Sequence, residues 1–416
     1  MLVELVKRSA SEVLECFSEG HPTRDREPAE SCVHKVSATT GGFEVIDKVA
    51  VAWRELCDNS SDDQPFYRPE FVRAYVRAFI PNKTIMVIAA TDGERLDAVL
   101  PLVSERALLC GLPVRRLRAA ANVHSCRFDL VRRAGPKGEA AAAAVWRFLK
   151  ELPGWDVLEF SRVPGGGEAE RMLSHARNEG FPTGQVEASC GPYLSVPRRD
   201  SSQGFLQSVH SSFRQNVRRS TQKLEGVGKV HLRWVENADS RFLEIFYDLE
   251  RAGWKGKKNT AIACSPATQQ FYTEIAQAAE QFGYLSCCFL ELDDRVVAGH
   301  FGFAHSGRYY LLKPAYDEDF HRYSPGQLLV HYVLQDCAKR GLSEFDFLPP
   351  WSKWKGSWTL TSRGQSNCYV FHSGFYGELL TFVKFSLVRA AKGIVSRYLS
   401  SKATPENTCP GITAES

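Results

Sequence analysis

The residues whose types and spacing promise chemistry gather in one stretch, 311–329, LLKPAYDEDFHRYSPGQLL. It reads as a buried strand, a short loop and the opening of a helix, and such a junction is where phosphates bind. Ser324 precedes Pro325, whose fixed φ suits a first helical turn and whose missing N–H was an orphan there anyway. Gly326 lets a ligand approach the backbone closely. Leu328, Leu329, Tyr332, Val333 and Cys337 recur at helical spacing, so the free N–H groups and the positive end of the helix dipole face the loop. An anion is welcome there. The plainer alternative, a Ser-Pro-Gly that only caps a helix, stays open at this level.

Lys313, Tyr316 and Asp317 stand between the strand and the helix opening, at the C-terminal edge of a sheet, where ligands of α/β proteins sit. Tyr316 and Asp317 serve equally well as turn residues. Asp346 alternates with Phe345 and Phe347, so with the phenylalanines in the core it faces a cleft. Beyond it Pro349, Pro350 and Gly356 shape a loop holding Trp351, Trp354 and Trp358, interleaved with Lys353 and Lys355; Trp254 and Lys255 repeat the pattern. Aromatics with cations suit a sugar, a nucleotide diphosphate or a polar peptide. Trp also closes core edges, being largely buried as a rule. His300, inside a strand, is either a base or a satisfied core group. No Ser-His-Asp or Cys-His arrangement stands out, and no cluster has metal-ligand spacing.

These groups need a scaffold, and 416 residues supply two or three domains' worth. With 44% apolar and 24% charged residues the composition is that of a soluble globular enzyme. A net charge of +4 argues against DNA or general nucleic-acid binding and leaves an anionic small molecule open. The twelve cysteines include no C-x-x-C, and adjacent Cys287 and Cys288 cannot share a strand face, which points to reduced thiols in a cytoplasmic protein. Charges interrupt the apolar positions of 1–17, so no secretory h-region is visible. No apolar run approaches the roughly 20 residues that span a bilayer.

Residues 18–42 are polar, rich in Pro, Gly and Ser, and aperiodic, reading as a flexible linker after a leader helix; the tail from 400 reads likewise. Between them a helix followed by a hairpin occurs twice. Phe71 and Phe271, Arg95 and Arg295, and Ala98 and Ala298 are each 200 residues apart, with turns at Asp92-Gly93 and Asp293-Asp294. Each hairpin is followed by further strand-like and helical segments, giving a mixed sheet flanked by helices. A basic helix near 203–226, with Arg214 and Arg218 on one face, joins the halves and reads as a solvated face or a phosphate contact. A helix at 379–399 is amphipathic, suited to packing on the body or to an anionic membrane surface.

A hairpin, a long central strand and a helix offering backbone amides resembles the GNAT acyltransferase fold. The chain is similar to its tandem-GNAT branch, the CelD-like acetyltransferases, related in fold to the Fem-type peptidyltransferases. The resemblance rests on FRQNVRR at 213–219, WKGKKNTAI at 254–262, LELDDRVVAGHFGF at 290–303, KPAYDEDFHRYSPGQLL at 313–329 and WKGSW at 354–358, and covers about 45–380. The chain departs from the usual pyrophosphate loop: Arg322 stands four before Gly326, and Leu328 replaces a small residue.

The resemblance implies an α/β (mixed α+β) fold of two tandem GNAT-like domains, each a mixed, largely antiparallel sheet flanked by helices. The expected layout is 1–42 leader and linker, 43–200 first domain, 201–230 connecting basic helix, 231–376 acyltransferase domain and 377–416 amphipathic helix and tail. It further implies an N-acyltransferase passing an acyl group from acyl-CoA (acetyl-CoA) to an amine by direct attack, with no protein nucleophile and no metal. Arg322, Ser324, Gly326, Gln327 and Lys313 would hold the donor. Tyr316 or Tyr323 would protonate the leaving thiolate, Asp317 would act as base or orient the amine, and His300 is a second base. Trp254, Lys255, Asp346, Lys355 and Trp358 would bind a small-molecule acceptor, a sugar or a cell-envelope or polysaccharide precursor. Two other readings stand: Fem-type transfer from aminoacyl-tRNA, and a silent scaffold in polysaccharide biosynthesis docked by its C-terminal helix.

Overall fold

The repeated helix and hairpin is the unit from which the sheet is built. In the computed structural model the described residues are 34–196, 206–207, 209–235 and 237–387. Helix α1 (Ala50–Asp58) leads to α2 (Pro69–Phe79), which starts on a proline, carries Glu70 in its first turn and Arg77 in its last, and buries Phe71, Tyr75 and Val76. Strands β2 (Thr84–Asp92) and β3 (Arg95–Leu109) follow. The second copy is α7 (Pro266–Gln281), with Ser265 capping the Thr268 N–H, then β9 (Cys288–Leu292) and β10 (Arg295–His305).

The copies agree beyond the aligned residues. Pairing skips Asp97 between β2 and β3 and Val297 between β9 and β10, so both hairpins bulge 200 residues apart. Each bulge carbonyl accepts an amide at 2.9 Å, from Arg133 and from Asp317. Phe71 and Phe271 then meet edge to face at 5.3 Å in the core between α2 and α7. Burying each ring contributes roughly 1.5–3 kcal/mol.

Around these units lie β1 (Lys35–Gly41), β4 (Leu112–Ala119), β5 (Val131–Arg132), α3 (Pro136–Glu151), β6 (Val157–Pro164), α4 (Glu168–Asn178) and β7 (Thr183–Ser195) in the first half. The second half adds α5 (Ser211–Glu225), β8 (Val230–Trp234), α6 (Ser240–Ala252), β11 (Arg308–Tyr316), α8 (Pro325–Lys339), β12 (Glu344–Asp346), β13 (Ser362–Phe371) and α9 (Phe375–Phe382). One mixed, largely antiparallel sheet runs β1-β2-β3-β4-β6-β13-β7-β12-β11-β10-β9-β8, with β5 beside β3. Helices cover both faces, α3 and α4 over the first half and α5 and α8 over the second.

Two expected boundaries are corrected. β13, assigned to the second domain, sits between β6 and β7 and completes the first half's sheet, while the end of β7 pairs with β12. Cys368 and Val370 of β13 are buried in the first half's core, and no periodic pattern tells a strand which sheet it will enter. Residues 35–41, read as linker, form β1, because Val36 and Ala38 alternate onto that same core. Helix α5 exposes Arg218 and Arg219, partly buries Arg214 and buries Val217 and Leu224. Helix α9 packs on the sheet through Leu380 while Phe375 and Phe382 stay exposed. The leader helix, most of the linker, the segment after 387 and the tail lie outside the described residues. Among the described residues Cys57, Cys110, Cys126, Cys264, Cys287, Cys288, Cys337 and Cys368 are free thiols. Among the described residues no helix is long and apolar enough to cross a membrane, and no group of three His, Cys, Asp or Glu is placed to hold a metal.

Candidate functional site

β11 opens the site by outrunning its neighbour. It pairs with β10 from Arg308 to Tyr316 except at Leu312, where the register shifts, but in parallel with β12 only over 308–310. From 311 to 316 its second edge has no strand partner among the described residues, and a cleft of about 480 Å³ lies against that end. The walls are Pro314, Ala315 and Tyr316 of β11; Leu249 and Glu250 of α6; Gly253, Trp254 and Lys255; His321; the start of α8 from Ser324 to Gln327; and Trp354.

The helix opening is built from conflicting local demands. Asp317 caps a 3-10 turn, Glu318–Tyr323, and Ser324 then adopts the left-handed conformation (φ 54°, ψ 50°), which costs a non-glycine residue about 1–2 kcal/mol. That kink turns the Ser324 carbonyl inward, where it accepts the N–H groups of Gln327 (2.9 Å) and Leu328 (3.1 Å). No side chain caps α8, and Pro325 has no N–H to offer. The Gly326 N–H is therefore the first-turn donor left without a partner among the described residues. A Cβ on Gly326 would lie 3.5 Å from the Tyr316 ring, so the two residues are neighbours at the cleft wall.

A buried ion pair sets the opposite wall. Glu250 Oε1 accepts from Lys255 Nζ at 2.6 Å and its Oε2 from the Ile262 N–H at 2.7 Å; Lys255 Nζ also donates to the Pro314 carbonyl at 2.6 Å. Burial lowers the Lys255 pKa, and Glu250 pulls it back up. Lys355 Nζ, buried behind Trp354, donates to the carbonyls of Leu348 (2.7 Å) and Pro350 (2.9 Å), and burial pulls its pKa down to about 8. Lys313, over the Tyr272 ring at 5.4 Å, lowers both of the other lysines further. Lys313 and Lys355 thus stand near the Lys255–Glu250 pair behind the cleft, leaving two cations beyond the paired one.

Tyr316, Trp254, Lys255, Ser324, Gly326 and Gln327 of the expected set meet at the cleft. Trp358 stands one layer back, its indole N–H on Gln327 Oε1 at 2.5 Å, and positions that side chain. Arg322 is exposed over the Tyr323 ring.

The remaining expected residues do not line this cleft. His300 is fully buried between Tyr309 and Phe345, neither ring nitrogen has a hydrogen-bond partner, and burial holds its pKa at about 3. Tyr323 is buried in the core under α8. Asp317 is engaged by Arg295 at 2.6 Å and the Asp319 N–H at 3.0 Å. Asp346, fully buried, accepts from Arg127 at 2.5 Å and from the Leu348 N–H at 2.8 Å, so it ties the halves together. Glu250, His321 and Trp354 are cleft residues absent from the expected set. Glu250 had a signal, since a carboxylate in a helix's last turn opposes the dipole and needs a local reason.

Residues 211–356 match the family model described as an acetyltransferase (GNAT) domain, and that span contains every wall of the cleft. No curated protein matches the chain in sequence. Among solved structures FemX is similar over 84% of this chain and 100% of that one, at 9% identity and a TM-score of 0.54. A tandem GNAT protein from the clavulanic acid biosynthesis pathway, without AcCoA, is similar over 82% and 100%, at 11% identity and 0.42. The C-terminal domain (DUF2156) of a candidate lysylphosphatidylglycerol synthetase from Agrobacterium fabrum is similar over 85% and 97%, at 11% identity and 0.49. Residues 211–356 are thus similar to a GNAT acetyltransferase domain, and the FemX likeness is one of fold.

Proposed function

We propose that the chain is an N-acyltransferase of two GNAT-like halves, CelD-like in type, that moves an acyl group from acyl-CoA to an amine on a sugar or a cell-envelope precursor. The observation that carries this reading is the cleft in which an uncapped helix start faces an unpaired strand edge. The Gly326 N–H and the α8 dipole hold the donor's phosphates. The free edge of β11 at 311–316 pairs with the amides of an extended donor arm, as an added strand would. Tyr316, beside Gly326, places a phenol beside the thioester. The amine nitrogen attacks the carbonyl carbon, the C–N bond forms and the C–S bond breaks. Tyr316 gives its proton to the leaving sulfur, and the proton released by nitrogen restores the phenol. The Glu250–Lys255 pair holds the facing wall in place.

The test is release of free CoA thiol from acetyl-CoA and longer acyl-CoAs across a panel of amino sugars and small amines. Amine-dependent release that falls at least tenfold in Tyr316→Phe, with donor binding intact, supports the reading. If no acyl-CoA is bound or turned over while aminoacyl-tRNA is bound in a salt-dependent way, the Fem-type reading replaces it. Binding of neither donor leaves the scaffold.

A further inference from the structure

A second cleft, of about 340 Å³, opens at the other end of β11. Its walls come from both halves: Gln64, Tyr67 and Arg127 from the first, Arg308 from the start of β11 and Arg363 from the start of β13. Arg308 and Tyr316 are the two ends of β11, about 26 Å apart at strand spacing, so this space does not continue the donor cleft. Five arginines line it (127, 132, 171, 308 and 363) with the carboxylates of Asp62, Asp129 and Glu168, and Asp346 and Glu344 pair with Arg127 and Arg363 from behind, so the site offers fixed guanidinium donors rather than a net charge.

The fold holds these guanidinium groups in place. Arg127, 4% exposed, donates to Gln64 Oε1 at 2.7 Å and to Asp346 at 2.5 Å. Arg308 donates to Asp62 at 2.8 Å and Arg171 to Glu168 at 2.8 Å. A guanidinium carries five N–H donors, so one or two internal bonds leave others for a ligand. An independent sign is the Tyr67 hydroxyl: the residue is 6% exposed and lines the cleft, yet the hydroxyl has no hydrogen-bond partner. A buried hydroxyl left unpaired is costly, and an acceptor oxygen in the cleft would satisfy it. The glycine loop at 165–167 does not compete for that role. Its amides are already bonded, Gly165 to the Gly364 carbonyl, Gly166 to Glu170 and Gly167 to the Pro164 carbonyl. Recognition falls to side chains, and planar guanidinium forks match an oxyanion two oxygens at a time.

We propose that this second cleft binds a small molecule through an oxyanion, a phosphate or a carboxylate group, at a site separate from the cleft at the start of α8. The site stands whether or not the chain transfers acyl groups. The experiment is a thermal-shift titration of the full chain with inorganic phosphate and, separately, with succinate, at ionic strength fixed with sodium chloride. The expected result is a saturable rise in melting temperature with at least one anion. Tyr67→Phe, which removes only the unpartnered hydroxyl, leaves the ligand-free melting temperature unchanged or higher and weakens that anion at least fivefold. Arg308→Gln weakens it at least tenfold. A response to phosphate alone assigns a phosphate ligand, to succinate alone a carboxylate, and to both the shared oxyanion chemistry. No saturable shift with either anion, or equal shifts in wild type and both variants, overturns the proposal.

Discussion

Placing a carboxylate at the start of α8 should move stability and donor binding in opposite directions. In Gly326→Asp the new Cβ meets the Tyr316 ring at 3.5 Å, an ordinary contact, so the side chain enters the cleft without displacing the backbone. An acidic group in a helix's first turn is favourable by about 0.3–1 kcal/mol, and replacing glycine adds helix propensity. The ligand-free melting temperature should therefore hold or rise by about 1–3 °C. Donor binding should collapse. A carboxylate about 5 Å from a phosphate charge, at an effective dielectric near 20, costs about 3 kcal/mol, or roughly a hundredfold in affinity for each charge met. Calorimetric titration with acetyl-CoA reads the affinity and a thermal melt reads the fold, with Gly326→Ala as the uncharged control. An Asp variant that binds acetyl-CoA within threefold of wild type would refute the reasoning, because no anion could then sit at this helix start.

His300 has two unpartnered ring nitrogens in the core, so His300→Leu should raise stability by about 1–3 kcal/mol in urea melts and leave turnover unchanged; lost turnover with an intact fold would restore it as a base. Burial holds His124 at about 4, His300 at about 3 and His331 at about 4, whereas the unfolded chain takes up those protons near 6.5. The unfolded state therefore binds more protons below pH 6.5, and stability should fall with acidity by on the order of 1.4 kcal/mol per pH unit for each histidine down to about pH 4; a flat profile from pH 7 to 5 would contradict this. Asp346→Ala should cost about 3–5 kcal/mol by leaving Arg127 buried without its partner, and unchanged stability with a raised KM would instead make Asp346 a ligand group. Ending the chain at residue 361 removes β13 from between β6 and β7 and should give insoluble protein, whereas a soluble, cooperatively melting product would mean the halves close independently.

What could be read from the residues was whatever is local. The helix entered through Pro325, the two hairpins and their 200-residue offset follow from turn chemistry and short-range period, and they recur in the structure with matching bulges. The gathering of Tyr316, Lys255 and Gly326 was legible for the same reason, each lying next to a signal of chain reversal. Long-range choices were not legible. Nothing in SRGQSNCYVF says that β13 enters the first half's sheet, because strand pairing depends on an edge left open some 180 residues earlier, between β6 and β7. His300 and Asp346 misled because strands buried on both faces do not announce which polar residue is merely enclosed. The five arginines of the second cleft arise from α4, β5, β11, β13 and a loop, separations that no window along the chain can join.

The most direct measurement is amide hydrogen exchange with and without acetyl-CoA. The account predicts slowed exchange at Gly326 together with the free edge of β11 at 311–316, and no such slowing in Gly326→Asp. Saturating acetyl-CoA that leaves both segments exchanging at their ligand-free rates would contradict the claim that this helix start and strand edge hold the donor.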